Sequence, residues 1–157
     1  EELAARPAVE AAPDPVREGL LRFAALYADM DAEAVTNRLP SVYAESIDFR
    51  DTLKVIESRD ALRDYFLETV DALHEMRVAI HDVAAADEGF YLRWTMDVRF
   101  RNLAKGRTVR TIGMTHLRFD DKGRVVYHQD YWDSTAGFFE HVPVVGGLIR
   151  WVKGRLD

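Results

Sequence analysis

A chain of 157 residues with 48% hydrophobic residues, a net charge of −6 and no cysteine is long enough for one domain around a single core. Its lysines and arginines are scattered among acidic residues, which argues against a nucleic-acid partner held through phosphates. The absence of cysteine excludes disulfides, thiolate catalysis and zinc–thiolate sites, and it suits the reducing cytoplasm, where we expect the protein.

The first half of the chain predicts a leader followed by three helices and two strands. Residues 1–15 are rich in Ala, Glu and Pro without a sustained apolar period, so we expect a disordered leader. Ser58 is well placed to cap the third helix. The first predicted helix begins at Val16, and the second and third cover 32–43 and 58–74. The predicted strands cover 46–51 and 53–57.

The second half predicts long antiparallel strands joined by short turns that contain glycine. The strands are expected over 75–85, 89–102, 107–120 and 124–133. In the second of them apolar residues from Phe90 to Phe100 alternate with polar ones, which indicates one dry and one wet face. Residues 144–156 predict an amphipathic helix, which we expect to pack over the cavity mouth or a sheet edge and not to lie on a membrane.

Five short motifs follow one another along the chain. They are Ile47-Asp48-Phe49-Arg50-Asp51, Ser58-Arg59-Asp60-Ala61-Leu62, Trp94-Thr95-Met96, Thr115-His116-Leu117-Arg118-Phe119 with its Gly123 turn, and His128-Gln129-Asp130-Tyr131-Trp132-Asp133. Their order resembles the nuclear transport factor 2-like superfamily, which includes ketosteroid isomerase, scytalone dehydratase and SnoaL-type polyketide cyclases, over about residues 16–135. The resemblance implies an α+β fold: a curved antiparallel sheet and N-terminal helices form a cone-shaped α+β barrel round an apolar cavity. Residues 136–157 would be a C-terminal helical extension of the same domain.

The resemblance also implies which side chains line that cavity. Trp132 resembles the pocket-lining aromatic of the isomerase's last strand, so His128 and Asp130, which share its parity, are expected to point inward. On the neighbouring strand Thr115 has the inward parity and His116 the outward one. The expected ligand-binding residues are Trp132, Trp94, Met96, Val98, Thr115, Leu117, Phe49, Phe23 and Phe66.

Four side chains are candidates for catalysis. His128 and Asp130 stand two residues apart on one strand face, about 7 Å at their backbones, and can form a general acid/base pair. Asp51 resembles the general-base carboxylate of ketosteroid isomerase, and Tyr27 is a candidate substitute for its oxyanion-hole tyrosine. Thr115 matches the position of the oxyanion-hole acid, so steroid isomerisation by that mechanism is not expected.

These candidates also have structural explanations. His128 and Asp130 can form a satisfied polar patch in a wet pocket, and Asp51 can bond its own backbone in a turn. The five histidines are dispersed and there is no Gly-rich phosphate loop, so no metal and no cofactor are expected.

The favoured function is binding of a small hydrophobic molecule with cofactor-independent isomerase, cyclase or dehydratase chemistry. The alternatives are a non-catalytic ligand-binding module and an oligomerisation or interaction subunit. We expect a homodimer through the convex sheet face, which carries Arg93, Arg99, Arg101, Arg110 and Arg118 together with Ile112 and Met114.

Overall fold

Six strands form one curved, unclosed sheet in the computed structural model, which describes residues 2–143 and 145–155. The strands are β1 (Tyr43–Arg50), β2 (Val55–Ser58), β3 (Leu73–Ala86), β4 (Gly89–Phe100), β5 (Thr108–Phe119) and β6 (Val125–Trp132). The helices among these residues are α1 (Pro7–Glu10), α2 (Asp14–Ala28), α3 (Ala32–Val42), α4 (Arg59–Asp71), α5 (Ser134–Gly137) and α6 (Val145–Lys153). The predicted α+β class is confirmed.

Capping residues and apolar faces set the helices that cover the sheet. Asp31 accepts a hydrogen bond from the backbone of Ala34 at 2.7 Å and starts α3. Ser58 accepts one from Ala61 at 3.3 Å and starts α4, as its side chain predicts. The apolar side of α2 lies in the core, because Leu20, Phe23 and Leu26 are buried.

The strand order in the sheet is β2-β1-β6-β5-β4-β3. Hairpin neighbours pair antiparallel, as their short turns predict, but β1 pairs with β6 in parallel. This pair differs from the predicted antiparallel arrangement because α4 and four strands, and not a hairpin, connect its two members. The pairing attaches the β1–β2 hairpin to the long strands and places α4 opposite their concave face.

The segment predicted as a disordered leader contains helix α1 and the first residues of α2. Pro7 stands in the first turn of α1, where its fixed backbone angle suits a helix. Val9 is fully buried and Ala12 is 7% exposed, and α1 lies against β3. The composition of the segment concealed this, because one buried valine and one buried alanine make no apolar period.

The C-terminal helix α6 differs from the expectation of an apolar face packed on the domain. It is held through polar contacts: Arg150 donates to the backbone carbonyl of Glu140, and Lys153 pairs with the Glu140 side chain. Four apolar side chains stay exposed, namely Val145, Leu148, Trp151 and Val152. Within the described part of the chain, no helix combines the length and the apolar character that crossing a membrane requires.

Candidate functional site

A cavity of about 360 Å³ lies between the concave face of the sheet and helices α2 and α4. Eight of the nine predicted ligand-binding residues line it, namely Trp132, Trp94, Met96, Val98, Thr115, Phe49, Phe23 and Phe66. Leu117 does not, and that prediction is wrong: its side chain is fully buried in the core. It pairs in register with His128 at the narrow end of the cone, where helix side chains cover the sheet.

Several lining residues were not predicted. Met76, Val78 and Ile80 share the inward face of β3, and their alternation in the sequence was a signal that could have identified them. Tyr65 reaches the cavity from α4. Phe138 lines it from beyond β6 and contacts Phe100, in a segment whose sequence has no period to reveal the contact.

Asp130 is the acidic group that the sheet directs into this cavity. Its Oδ1 accepts a hydrogen bond from the Thr115 hydroxyl at 2.5 Å and lies 2.8 Å from Nε2 of His128. Thr115 is in turn the acceptor for the indole N–H of Trp94 at 2.8 Å. Among the described residues Asp130 Oδ2 has no partner, so one carboxylate oxygen is fixed and the other is free for a ligand.

His128 lies behind Asp130 and not in the cavity wall. It is 1% exposed, and the rings of Phe23 and Phe49 cover it at centroid distances of 5.7 and 4.7 Å. The expectation that its side chain points into the cavity is therefore wrong. The parity of β6 gives its face correctly, but aromatic side chains fill the space above it.

Two tyrosines continue the hydrogen-bonded chain behind His128. The hydroxyl of Tyr43 lies 2.8 Å from Nδ1 of His128, and the hydroxyl of Tyr27 lies 2.8 Å from that of Tyr43. Burial raises the pKa of both tyrosines well above the ordinary value, so both hydroxyls keep their protons. Tyr27 lines the cavity as predicted, whereas Tyr43 was not predicted as part of the site.

Asp51 also reaches the cavity, but its oxygens have partners. Oδ1 accepts from the backbone N–H groups of Leu53 and Lys54 at 2.6 and 2.7 Å, which is the turn role that its position allows. Oδ2 accepts from the hydroxyl of Tyr65 at 2.8 Å, and burial together with the Asp51 carboxylate raises the Tyr65 pKa. Asp51 is thus placed to hold the turn and to orient Tyr65.

The charge in the cavity wall is of one sign. Asp51, Glu68 and Asp130 contribute carboxyl groups, and within the described part of the chain no lysine, arginine or histidine is among the lining side chains. The described residues contain no group of three His, Asp or Glu side chains arranged to hold a metal ion. The arrangement can therefore transfer protons at a carboxylate and bind an apolar molecule.

The comparisons with known proteins agree with this architecture. The family model described as "SnoaL-like domain" matches residues 20–128, and no curated protein matches the chain. An M. tuberculosis LEH-like epoxide hydrolase is similar in structure, at 16% identity over 90% of this chain and 96% of that chain, with a TM-score of 0.61. A putative polyketide cyclase from Acidithiobacillus ferrooxidans is 15% identical over 79% of this chain and 92% of that chain, with a TM-score of 0.63.

A third similar structure is a hypothetical protein from Catenulispora acidiphila with a ketosteroid isomerase-like fold, in complex with trimethylamine. It is 15% identical over 76% of this chain and 88% of that chain, with a TM-score of 0.64. At such identities, these likenesses show the fold alone. They confirm the fold that the sequence motifs predict.

Proposed function

The chain belongs to the SnoaL-like domain family, and from that premise we propose that it is a cofactor-independent enzyme of the isomerase, cyclase or dehydratase type. Its substrate would be a small hydrophobic molecule held in the cavity. Asp130 would be the catalytic residue that takes a proton from the substrate and returns it.

The observation that carries the proposal is the asymmetric bonding of the Asp130 carboxylate. Oδ1 is held by two hydrogen bonds, while Oδ2 lacks a partner among the described residues and the residue lines an apolar cavity. A carboxylate held in one orientation against an apolar wall is suited to general base catalysis, because its reactive oxygen is positioned and partly shielded from water.

His128 has a positioning role in this proposal and does not touch the substrate. Its bond to Asp130 holds the carboxylate and disperses its negative charge. Tyr27 would contact the substrate through its hydroxyl oxygen, since it lines the cavity next to this network. Asp51 would act through Tyr65, because its own oxygens are already bonded.

The apolar character of the wall favours a second candidate, a non-catalytic module that binds a small apolar molecule. Trp94, Met96 and Trp132 would then supply most of the affinity, and changes at Asp130 would matter less. Trp132→Ala or Met96→Arg abolishes binding under either proposal, so only the effect of Asp130 on turnover separates the two.

The test begins with native mass spectrometry of the purified protein, which would reveal any small molecule that remains bound. Turnover is then followed by NMR in D₂O with β-hydroxyketones of one or two rings, which exchange a C–H proton or lose water under base catalysis. We expect Asp130→Asn to lower turnover by about 100-fold or more while the protein still binds the ligand. Asp121→Asn, in an exposed turn, is the control.

If Asp130→Asn turns over substrate at the rate of the unaltered protein, Asp130 is not the catalytic residue. If the protein binds these compounds and leaves every one of them unchanged, that result supports the proposal of a non-catalytic binding module.

We further propose that the convex face of the sheet joins two copies of the chain. Ile112, Met114 and Tyr131 point away from the cavity and are 67%, 42% and 54% exposed on neighbouring strands. An apolar group of this kind on the outer face of a sheet is typical of an interface.

A further inference from the structure

The hydrogen bonds around Asp130 have directions that chemistry fixes. An indole N–H can only donate, so Trp94 donates to Oγ1 of Thr115 at 2.8 Å. The hydroxyl hydrogen of Thr115 then points to Asp130 Oδ1 at 2.5 Å. Both donors on this side of the carboxylate are therefore used within the protein.

The same reasoning gives the directions on the histidine side. When Asp130 is ionised and His128 carries a single ring hydrogen, Nε2 of His128 donates to Asp130 and Nδ1 is an acceptor. The Tyr43 hydroxyl must donate to Nδ1, which leaves its oxygen to accept the hydrogen of Tyr27. Tyr27 therefore turns its hydrogen away from the cavity and offers only an oxygen lone pair to a ligand.

Tyr65, like Tyr27, offers a ligand only a hydrogen-bond acceptor. Its hydroxyl donates to Oδ2 of Asp51 at 2.8 Å, so only its oxygen lone pairs remain. The lining hydroxyl of Thr69 is likewise used, because it donates to the backbone carbonyl of Tyr65. The hydroxyl groups at this side of the cavity thus donate their hydrogens within the protein. They and the carboxylate of Asp130 can therefore only accept hydrogen bonds from a ligand.

We infer that the ligand brings the hydrogen-bond donor: the group that sits against Asp130 and Tyr27 is a hydroxyl or an ammonium on an apolar body, and not a carbonyl or an anionic group. This inference rests on the proposed function for the site itself and specifies its substrate class. The three carboxyl groups in the wall, with no lysine, arginine or histidine among the described lining side chains, oppose an anion.

Matched bicyclic probes test the inference by calorimetric titration. The set is α-tetralol, its methyl ether, α-tetralone and α-aminotetralin, which share one carbon skeleton and differ in donor, acceptor and charge. We expect α-tetralol to bind about tenfold or more tightly than α-tetralone and the methyl ether, because a hydrogen bond to a charged group is lost in both. The amine shows whether the donor is neutral or cationic.

Two variants test whether Asp130 is the source of the preference for the alcohol over the ketone. Asp130→Asn places an amide donor beside the ligand and should remove or reverse the preference of alcohol over ketone. Trp132→Phe retains the acceptors around Asp130 and should preserve that preference, although the affinities fall. Circular dichroism and the unfolding midpoint of each variant establish that it is folded.

The inference is overturned if α-tetralone binds as tightly as α-tetralol, if Asp130→Asn leaves their affinity ratio unchanged, or if none of the four binds at millimolar concentration. Binding is measured without turnover, so its outcome is separate from that of the catalytic proposal. A protein that prefers the alcohol and converts no substrate keeps this ligand class and loses the proposed reaction.

Discussion

His128 and Asp130 share one face of β6 and are joined by a 2.8 Å hydrogen bond, yet only Asp130 lines the cavity. The imidazole is covered by aromatic rings, so it can influence a ligand only through the carboxylate or through the tyrosines behind it. The order of the two groups is therefore fixed: the carboxylate faces the ligand and the histidine faces the core.

Replacing His128 by Leu tests this order. We expect the free energy of unfolding to fall by about 1–3 kcal/mol, since the Tyr43 hydroxyl loses its buried acceptor. Turnover should fall while ligand affinity is nearly unchanged, because the ring does not touch the ligand. Denaturant unfolding and titration measure both quantities, with the exposed His74→Leu as the control. Loss of ligand affinity with unchanged stability would contradict the buried position.

The two tyrosine hydroxyls should differ in their contribution to stability. Tyr43→Phe leaves both His128 Nδ1 and the hydrogen of Tyr27 without a partner, whereas Tyr27→Phe removes one end of the chain. Tyr43→Phe should therefore lower the free energy of unfolding by about 1–3 kcal/mol and Tyr27→Phe by less. Equal effects in denaturant unfolding would mean that the chain of hydroxyls does not stabilise the fold as a unit.

The raised pKa values of three tyrosines predict how the stability of the fold depends on pH. Burial raises the pKa of Tyr27, Tyr43 and Tyr65 above their ordinary value of 10.0, so they stay protonated in the fold while the unfolded chain ionises. The stability they confer is complete below about pH 10 and is lost as the pH rises further, by about 1.4 kcal/mol per pH unit per tyrosine. Tyr27→Phe should reduce that slope. Constant stability between about pH 10 and 11 would argue against raised pKa values.

Gly113 allows two tryptophans to lie together in the cavity wall. A Cβ at this position would overlap the ring of Trp94 and lie 2.8 Å from Cβ of Trp132. Gly113→Ala should lower stability by about 1–3 kcal/mol and weaken probe binding, because Trp94 must move. Gly147→Ala, where nothing lies within 4 Å of an added Cβ, is the matched control and should be neutral or slightly stabilising.

The proposed dimer is tested by placing charge on the convex face. Ile112→Glu combined with Met114→Glu should give monomers in native mass spectrometry if the unaltered protein forms dimers, because two carboxylates would be buried at the interface. Val55→Glu changes an exposed apolar residue on β2 and should not affect the mass. A monomeric unaltered protein would reject the proposal.

Much of the fold could be predicted from local patterns, while the network behind Asp130 could not. The parity of β5 and β6 placed Thr115, Asp130 and Trp132 on the cavity face, where the structure has them. Parity does not report depth, so it could not show that helix side chains cover His128 and Leu117. Depth depends on how the helices lie over the sheet.

Tyr43 was missed for a different reason. It was predicted as the last residue of a helix, and it is the first residue of β1, following α3 directly. A residue at such a junction belongs to neither the helical nor the strand period, so its direction cannot be obtained from either. Its role becomes visible only once β1 lies beside β6.

The parallel pairing of β1 with β6 has a consequence for how the protein acquires its site. It pairs Asp48 with Tyr127, which are about half of the chain apart in sequence, and such distant segments meet late because closing a long loop costs entropy before any contact offsets it. Until β6 docks, Tyr43 lacks its histidine partner and the cavity lacks the carboxylate of Asp130. A ligand would therefore bind only the fully folded protein. Its binding would stabilise the folded state relative to intermediates in which β6 has not docked.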